Sequence, residues 1–357
     1  MFYYKFLLHL HNMEWLLGKN LEELSQIAHD IGLPRYAGVQ LSDWLYKKRV
    51  QTIEQMTNLS KKSREALGSR YIVGGFAPAN VQQSVDGTRK YLFPTRDRFL
   101  IESVTIPEED RTTLCVSSQA GCRMGCRFCM TARQGFQAHL TAGEILSQFH
   151  NVQERDNLTN AVYMGMGEPM DNLDQVLKSL HIITSEWGWG WSPRRITVST
   201  IGLLPQLKRF IEESDCHLAV SVHHPFDSDR QSLIPMQKVH PLAKIVQLIR
   251  QYNFSGQRRV SFEYILFKGV NDLPTHAAAL ARLLRGLPCR INLIRYHAIP
   301  ESSLFPATDQ AITLFQKKLN EAGLLTTLRA SRGEDILAAC GLLSTHQVNK
   351  HENGQTS

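Results

Sequence analysis

The chain has 357 residues, of which 43% are hydrophobic and 20% charged, with a net charge of +7 and a pI near 9.0. This is a globular composition with room for one large domain and a small one, and no stretch approaches the ~18 consecutive apolar residues of a membrane span. Seven cysteines, an odd number without a secretory signal, exclude a disulfide framework and point to reduced thiols, metal binding or catalysis in a cytoplasmic protein. The basic balance suits a polyanionic partner, and it suits an ordinary solvated surface as well.

The first residues, MFYYKFLLHLHNMEW, form an apolar run broken by Lys5, His9 and His11, with no small-residue cleavage site after it. They read as an N-terminal extension over 1–19 rather than a signal peptide, with Met13 as a candidate start. Asn20 and Glu23 make a capping pair for a helix that keeps Leu21, Leu24, Ile27 and Ile31 on one face and stops at Gly32 and Pro34. Two further helical stretches are VQLSDWLYKK and, after Ser60, SKKSREAL. In VQQSVDGTRKYLF, Asp86-Gly87 between two strand-like runs signals a hairpin. Residues 20–100 are therefore expected to form a small helical accessory module plus a hairpin.

From about residue 110 short β-branched runs alternate with amphipathic helical patterns. The strand candidates are TTLCVS, AVYMGM, RITVST, HLAVSV, RVSFEYILF, RINLI and LLTTLRA. The helix candidates between them are AGEILSQFHNVQ, LDQVLKSLHIIT, LPQLKRFIEE, LAKIVQLIRQY, HAAALARLLRGL and AITLFQKKLNEAG. Seven strands interleaved with six helices predict an α/β fold with a parallel sheet, and the regular repeat favours a full or partial barrel over an open doubly wound sheet. The core spans 101–343, and the polar tail 344–357 is expected to be disordered.

Chemistry in such barrels gathers at the C-terminal ends of the strands, and the unusual residues obey this. The cysteine cluster follows the first strand, GMGEP the second, and SVHH ends the fourth; Ser199 and Thr200 end the third, RYH ends the sixth, and Cys340 follows the seventh.

In GCRMGCRFCMTARQGF, Cys122, Cys126 and Cys129 are spaced as Cys-x-x-x-Cys-x-x-Cys. Zinc sites usually show paired knuckles and four ligands. Three thiolates suit a four-iron cluster whose fourth iron is left for a non-protein ligand. A zinc site completed by Cys115, or three buried free cysteines, are the alternatives.

The cysteine motif, with Phe128 before its last cysteine, resembles the signature of the radical S-adenosylmethionine (SAM) superfamily. LCVSSQAGCRMGCRFCMTARQGF, MGMGEP, STIG, SVH and RGEDILAACG, with MTNLSK and IPEEDRTTLC, are together similar to the RlmN family of RNA adenosine C2-methyltransferases, from about residue 20 to about 343. The resemblance implies a partial (βα)6 barrel, and a [4Fe-4S] cluster on Cys122, Cys126 and Cys129 whose open iron binds S-adenosylmethionine, two molecules of which are used per turnover.

Adenine C2 is electron-poor, so radical chemistry from a cofactor replaces nucleophilic attack. In the family a cysteine that matches Cys340 takes a methyl group, its derived radical adds to the base, and a cysteine matching Cys115 resolves the adduct through a transient disulfide. Glu102 matches the base that takes the C2 proton. Contacts to S-adenosylmethionine carry over to Gly167, Glu168, Ser199, Ser221, Val222 and His223. His297 departs from the family, which has asparagine there; imidazole keeps one hydrogen bond but loses the amide's paired donor and acceptor. Without the resemblance, Cys340 and Cys115 read as small core residues and Glu102 as a surface carboxylate; Cys216 and Cys289 match no role and read as core.

The resemblance further implies 23S ribosomal RNA and transfer RNA as substrates, an external flavodoxin- or ferredoxin-like electron donor, and no membrane partner; nothing in the chain calls for more than a monomer. Basic clusters for RNA occur at Lys47-Lys48-Arg49, Lys61-Lys62, Arg194-Arg195 and Arg258-Arg259. A base in folded RNA must be extruded to reach the cluster, and the helical module is expected to help hold the RNA. Two other readings stay open: a Cfr-like C8-methyltransferase, which shares the cluster and reactive cysteines, and a non-catalytic metal-bearing RNA-binding protein.

Overall fold

The computed structural model describes residues 13–254 and 258–345. β1 (Glu14–Trp15) pairs in parallel with β2 (Tyr71–Ile72), and between them lie α1 (Leu21–Asp30), α2 (Ala37–Ser42) and α3 (Lys61–Gly68). α1 starts as expected: Asn20 Oδ1 accepts the Glu23 N–H at 2.9 Å and Glu23 Oε2 accepts the Asn20 N–H at 2.7 Å. The pair satisfies two of the donors that a helix start leaves open. Ser60 caps α3 through the Ser63 N–H at 3.1 Å. Leu24, Leu41, Leu45 and Leu67 are fully buried in the module's core. One expectation is corrected here. Trp15, Leu16 and Leu17 are buried in the same core, so 13–19 belong to the folded module because their apolar side chains are covered. Residues 1–12 lie outside the described residues.

The remaining chain builds one ten-stranded sheet. It contains β3 (Asn80–Gln83), β4 (Arg89–Pro94), β5 (Leu100–Pro107) and β6 (Thr112–Cys115), all antiparallel to their neighbours in this group. A separate short pair, β7 (Gln119–Ala120) with β8 (Ala138–His139), brackets the cysteine loop and the short α4 (Met130–Gln134). The parallel run continues from β6 through α5 (Ala142–Asn151), β9 (Asn160–Tyr163), α6 (Leu173–Thr184), β10 (Ile196–Thr200), α7 (Leu204–Glu213) and β11 (His217–Ser221). It is completed by α8 (Asp227–Leu233), α9 (Leu242–Ile249), β12 (Val260–Leu266), α10 (Pro274–Leu284), β13 (Cys289–Arg295), α11 (Asp309–Glu321) and β14 (Leu325–Leu328).

All seven expected strands form, and their order in the sheet, β6-β9-β10-β11-β12-β13-β14, never reverses. Successive right-handed crossovers without a reversal curl a sheet into a barrel, where a doubly wound sheet would switch direction. Side chains such as Ile196, Val198, Leu218, Val220, Phe262 and Leu293 are fully buried, as strands covered on both faces require.

The hairpin forms around Asp86-Gly87, but β5 joins it to β6, so it extends the barrel sheet rather than the helical module. The polar residues Glu102, Ser103 and Thr105 conceal β5 in the sequence, although all three are buried. Ser103 Oγ donates to Gln148 Oε1 at 2.5 Å.

After β14 the chain returns across the barrel as a strap, 329–345. Thr131 Oγ1 donates to Leu343 O at 2.7 Å, and the Met130 N–H to Gly341 O at 2.8 Å. Ser344 and Thr345 are held through Gln134, which corrects the expectation that the polar tail is loose from 344 onward. Residues 346–357 lie outside the described residues. No helix among the described residues is long and apolar enough to cross a membrane.

Candidate active site

The cysteine loop is closed at its neck by the β7–β8 pair and by the Cys122 N–H, which donates to Gly135 O at 3.2 Å. Gly121 has φ +71°, and a Cβ there would run into the Gly135 carbonyl, so the neck requires glycine. Along the loop the side chains alternate: Cys122, Met124, Cys126 and Phe128 are buried, whereas Arg123, Gly125 and Arg127 are exposed. Phe128 packs edge-on to His223 with ring centroids 4.8 Å apart, which seats the loop on the end of β11.

The loop faces a cavity of 570 Å³ along the barrel interior. Eleven of the thirteen expected site residues line it: Cys122, Cys126, Cys129, Cys115, Cys340, Gly167, Glu168, Ser199, Ser221, His223 and His297. Val222 does not; it is fully buried, and its carbonyl accepts Arg230 Nε at 3.0 Å. Glu102 does not either. It opens onto a second cavity of 840 Å³, where its carboxylate is held by Lys90 Nζ at 3.0 Å and the Ser344 N–H at 2.8 Å. Burial raises the Glu102 pKa, and Lys90 opposes the rise. Strap residues stand between the two cavities: Leu342 and Ser344 line one, Cys340, Gly341 and Leu343 the other. Cys216 is buried and Cys289 half-buried, and neither lines either cavity.

Burial pushes the Cys122 thiol up to about 12 and the Cys126 thiol well above its ordinary value. Such thiols keep their protons until a metal replaces them. Among the described residues no three His, Cys, Asp or Glu side chains converge on one point, as a mononuclear zinc ion demands. A four-iron cluster differs, because each thiolate binds a different iron. Three inward thiols spread around one wall of a cavity therefore fit a cluster better than a single ion.

Beside them, Glu168 is buried with Oε1 accepting the Met170 N–H at 3.1 Å and Oε2 the Ile201 N–H at 3.0 Å. Burial raises its pKa to about 7 against these hydrogen bonds. A cationic amino group in the cavity would stabilise the ionised form. Gly167 has φ +99°, and a Cβ there would overlap Gln119, so glycine lets the turn lie against that side chain. His223 Nδ1 accepts the Ile265 N–H at 3.0 Å, which leaves its proton on Nε2; burial lowers its pKa to about 3, so it is neutral. His297 contacts Ser331 Oγ through Nε2 at 2.9 Å.

Across the cavity, burial and the charge of a Cys340 thiolate together push Cys115 up to about 12, while Arg329 opposes them. Cys340 has exposed surface, but that surface faces the cavity, where surrounding protein still desolvates a thiolate and raises its pKa. Arg329 approaches Glu263 at 3.8 Å and donates towards Met164 Sδ at 3.2 Å. It thus places a half-buried cation where its charge reaches both Cys115 and Cys340.

Comparison with known proteins agrees with this architecture. A family model described as Radical SAM superfamily matches residues 116–280, and one described as Ribosomal RNA large subunit methyltransferase N-terminal domain matches 15–73. The probable dual-specificity RNA methyltransferase RlmN of Phocaeicola vulgatus is 54% identical over 341 residues, covering 96% of this chain and 97% of its own. The chain belongs to the RlmN family. The probable RlmN of Bacteroides fragilis is 56% identical over 330 residues, covering 92% of this chain and 96% of its own. A crystal structure of a radical SAM methyltransferase from Sphaerobacter thermophilus is similar with a TM-score of 0.88 and 40% identity, over 93% of this chain and 100% of that one.

Within this RlmN family scaffold, three residues matter to the site that the sequence did not single out. Gln119 and Arg329 are two. The third is Arg230, which is buried and donates to Val222 O, Ile201 O and Ser221 O at 3.0, 3.0 and 2.8 Å, binding the ends of β10 and β11 together. Gln119 adjoins the cysteine motif and Arg329 ends a strand, but only the packed sheet reveals what either side chain meets.

Proposed function

We propose that this protein methylates carbon 2 of an adenosine in 23S ribosomal RNA and in transfer RNA. The observation that carries the reading is the shared cavity: Cys115 and Cys340 open onto the space that the three loop cysteines and Glu168 line. Cys122, Cys126 and Cys129 would hold a [4Fe-4S] cluster, which with S-adenosylmethionine supplies radical chemistry when bound. Glu168 and the glycine turn bind and orient the cofactor's amino and carboxylate groups, and Ser199, Ser221, His223 and His297 complete its pocket, with Val222 buried behind them.

Cys340 carries the methyl group, with one S-adenosylmethionine spent on that transfer and a second on activation. Once the methyl-derived carbon is bonded to C2 and the adduct has lost its unpaired electron and its C2 proton, Cys115 attacks the Cys340 sulfur. The S–S bond forms as the S–C bond breaks, the released carbon takes up a proton to become the methyl group, and a Cys115–Cys340 disulfide is left for an external thiol to reduce. Arg329 favours the thiolate form of both cysteines. Glu102 accepts the C2 proton. Because Leu342–Ser344 separate it from the cysteines, its part requires the strap to shift when the base enters.

RNA is held by charge on the surface and by extrusion of the target base. Lys47, Lys48, Lys61, Lys62, Arg194 and Arg195 are exposed, and Arg195 also lines the cavity. Arg258 leaves the candidate set, because its guanidinium donates to Cys216 O at 3.0 Å and Ile211 O at 2.6 Å. Arg49 leaves it too, donating to Arg155 O at 2.6 Å. We read the protein as a cytoplasmic monomer served by an external electron donor.

The test is nucleoside mass analysis of unmodified ribosomal and transfer RNA treated with the reconstituted protein, S-adenosylmethionine and a reductant. The expected product is 2-methyladenosine, lost in Cys340→Ala. Formation of 8-methyladenosine instead would overturn the C2 assignment, and the absence of any methyladenosine despite cofactor cleavage would overturn the RNA substrate.

A further inference from the structure

On the outer side of the cysteine loop lies a separate groove of 370 Å³. Cys126 and Ala132 line both this groove and the inner cavity, so they stand between the two, and Cys126 is the one of the pair that can ligate a metal. Leu233, Val270 and Leu304 make part of the groove apolar, while Arg127 and Arg133 supply two exposed guanidiniums. Arg133 donates to the carbonyls of Pro300 and Glu301, which fixes it at the rim. Neither arginine joins an ion pair among the described residues, in contrast to Arg123, which pairs with Asp171 at 2.9 Å. Glu301 is the one carboxylate residue that lines the groove.

We propose that this groove docks a small acidic one-electron carrier protein, with Cys126 as the point where the electron enters. The proposal rests on the reading that the loop cysteines hold an iron–sulfur cluster. An electron has to reach that cluster from outside while cofactor and RNA occupy the inner cavity. The outer groove approaches the same loop without crossing that cavity, and its last protein group before the metal is the Cys126 thiolate. One electron leaves the carrier's reduced centre and the cluster gains it; no atom or proton crosses the interface. Apolar contact gives the complex its area, and the two arginines attract a ring of carboxylates and speed association. RNA phosphates would also be drawn to arginine. A strand seated here would lie on the opposite side of Cys126 from Cys115 and Cys340, which does not bring a base to the reactive thiols.

The experiment uses the iron-loaded protein and a purified flavodoxin as the probe. The flavodoxin Kd is measured by titration at low and high salt, and S-adenosylmethionine cleavage is driven in parallel by reduced flavodoxin or by dithionite. For Arg127→Glu/Arg133→Glu the expected result is a Kd weakened about tenfold or more, an equal fall in flavodoxin-driven cleavage, and dithionite-driven cleavage within about twofold of the parent. Affinity in the parent falls with rising salt. Because Arg127 lies between two cluster ligands, Arg133→Glu with Ser303→Asp serves as the second variant should the first fail to load iron. An unchanged flavodoxin Kd in a loaded variant would overturn the proposal. So would a tenfold loss of transfer RNA affinity with flavodoxin binding intact, which would make the groove an RNA contact. A parent protein without iron or acid-labile sulfide would instead remove the underlying cluster reading, an outcome separable by metal analysis before any titration.

Discussion

Gln119 is fully buried, and its amide is saturated. Oε1 accepts the Glu168 N–H at 2.8 Å, while Nε2 donates to Asp171 Oδ2 at 2.7 Å and faces His139 Nδ1 at 3.1 Å. Asp171 in turn holds Arg123 of the cysteine loop at 2.9 Å. One side chain therefore fastens the turn that carries Gly167 and Glu168 to the loop that carries Cys122, Cys126 and Cys129. Gln119→Met keeps the volume and drops the hydrogen bonds, leaving a buried N–H and a carboxylate without their partner. Gln119→Glu keeps the shape but turns an acceptor towards Asp171 at a buried site. Both should lose stability, the Met variant by about 1–3 kcal/mol, and the Glu variant by more because it adds like-charge repulsion or a protonation cost. Urea denaturation of the two variants at neutral pH checks the order. Equal midpoints would mean that packing against Gly167, and not the amide's polarity, is what the position supplies.

At the scale of elements, the hairpin and the strap explain one another. Ser84 Oγ donates to Asp335 Oδ1 at 2.5 Å, and Asp86 accepts the N–H groups of Gly333 and Thr88 at 2.9 Å each. The β3–β4 turn thus anchors the segment that leads into Cys340. Against the opposing effect of burial, these hydrogen bonds lower the Asp86 pKa from 3.8 to about 2. A depressed carboxylate contributes its stability above the unfolded value of 3.8 and loses it as pH falls through about 2. Asp86→Asn should therefore cost about 1–2 kcal/mol at neutral pH, discounted for partial exposure, with the difference from the parent shrinking as pH falls towards 2. It should also speed alkylation of Cys340 by freeing one end of the strap. Urea midpoints across that pH range, with iodoacetamide kinetics, test both; a pH-independent difference would exclude Asp86 ionisation as the cause. This anchoring was the part least legible in the sequence. The seven barrel strands were legible because a strand buried on both faces reads as an apolar run, and the cysteine loop because its spacing is local. β5 was not, since Glu102 and Ser103 face partners supplied by other segments, and Thr105 is buried beside them. Nor was the wall between Glu102 and Cys340, which exists only once 338–344 folds back on α4.

At the scale of the molecule, the net charge of +7 is divided unequally between structural and free cations. Arg230, Arg258 and Arg49 are spent on backbone carbonyls. Lys61 and Lys62 are exposed at the start of α3, on a helix whose buried Leu67 faces the module core, so their ammonium groups serve no packing purpose. Lys61 makes only a loose pair with Glu65 at 4.0 Å, a contact between exposed groups worth little to stability. Charge reversal at both should leave the thermal midpoint nearly unchanged and weaken binding to transfer RNA. Each lost phosphate contact lowers the slope of log K against log salt by roughly 0.7–0.9, so the double variant should lose up to ~2 from the slope along with its affinity. Charge reversal at Lys317 and Lys318, exposed on α11, makes the same change in net charge and controls for a general loss of positive charge: a smaller effect there assigns the loss to contacts on the helical module. An unchanged slope with unchanged affinity would show that RNA does not cross the helical module and that the barrel mouth near Arg194 and Arg195 carries the contact alone.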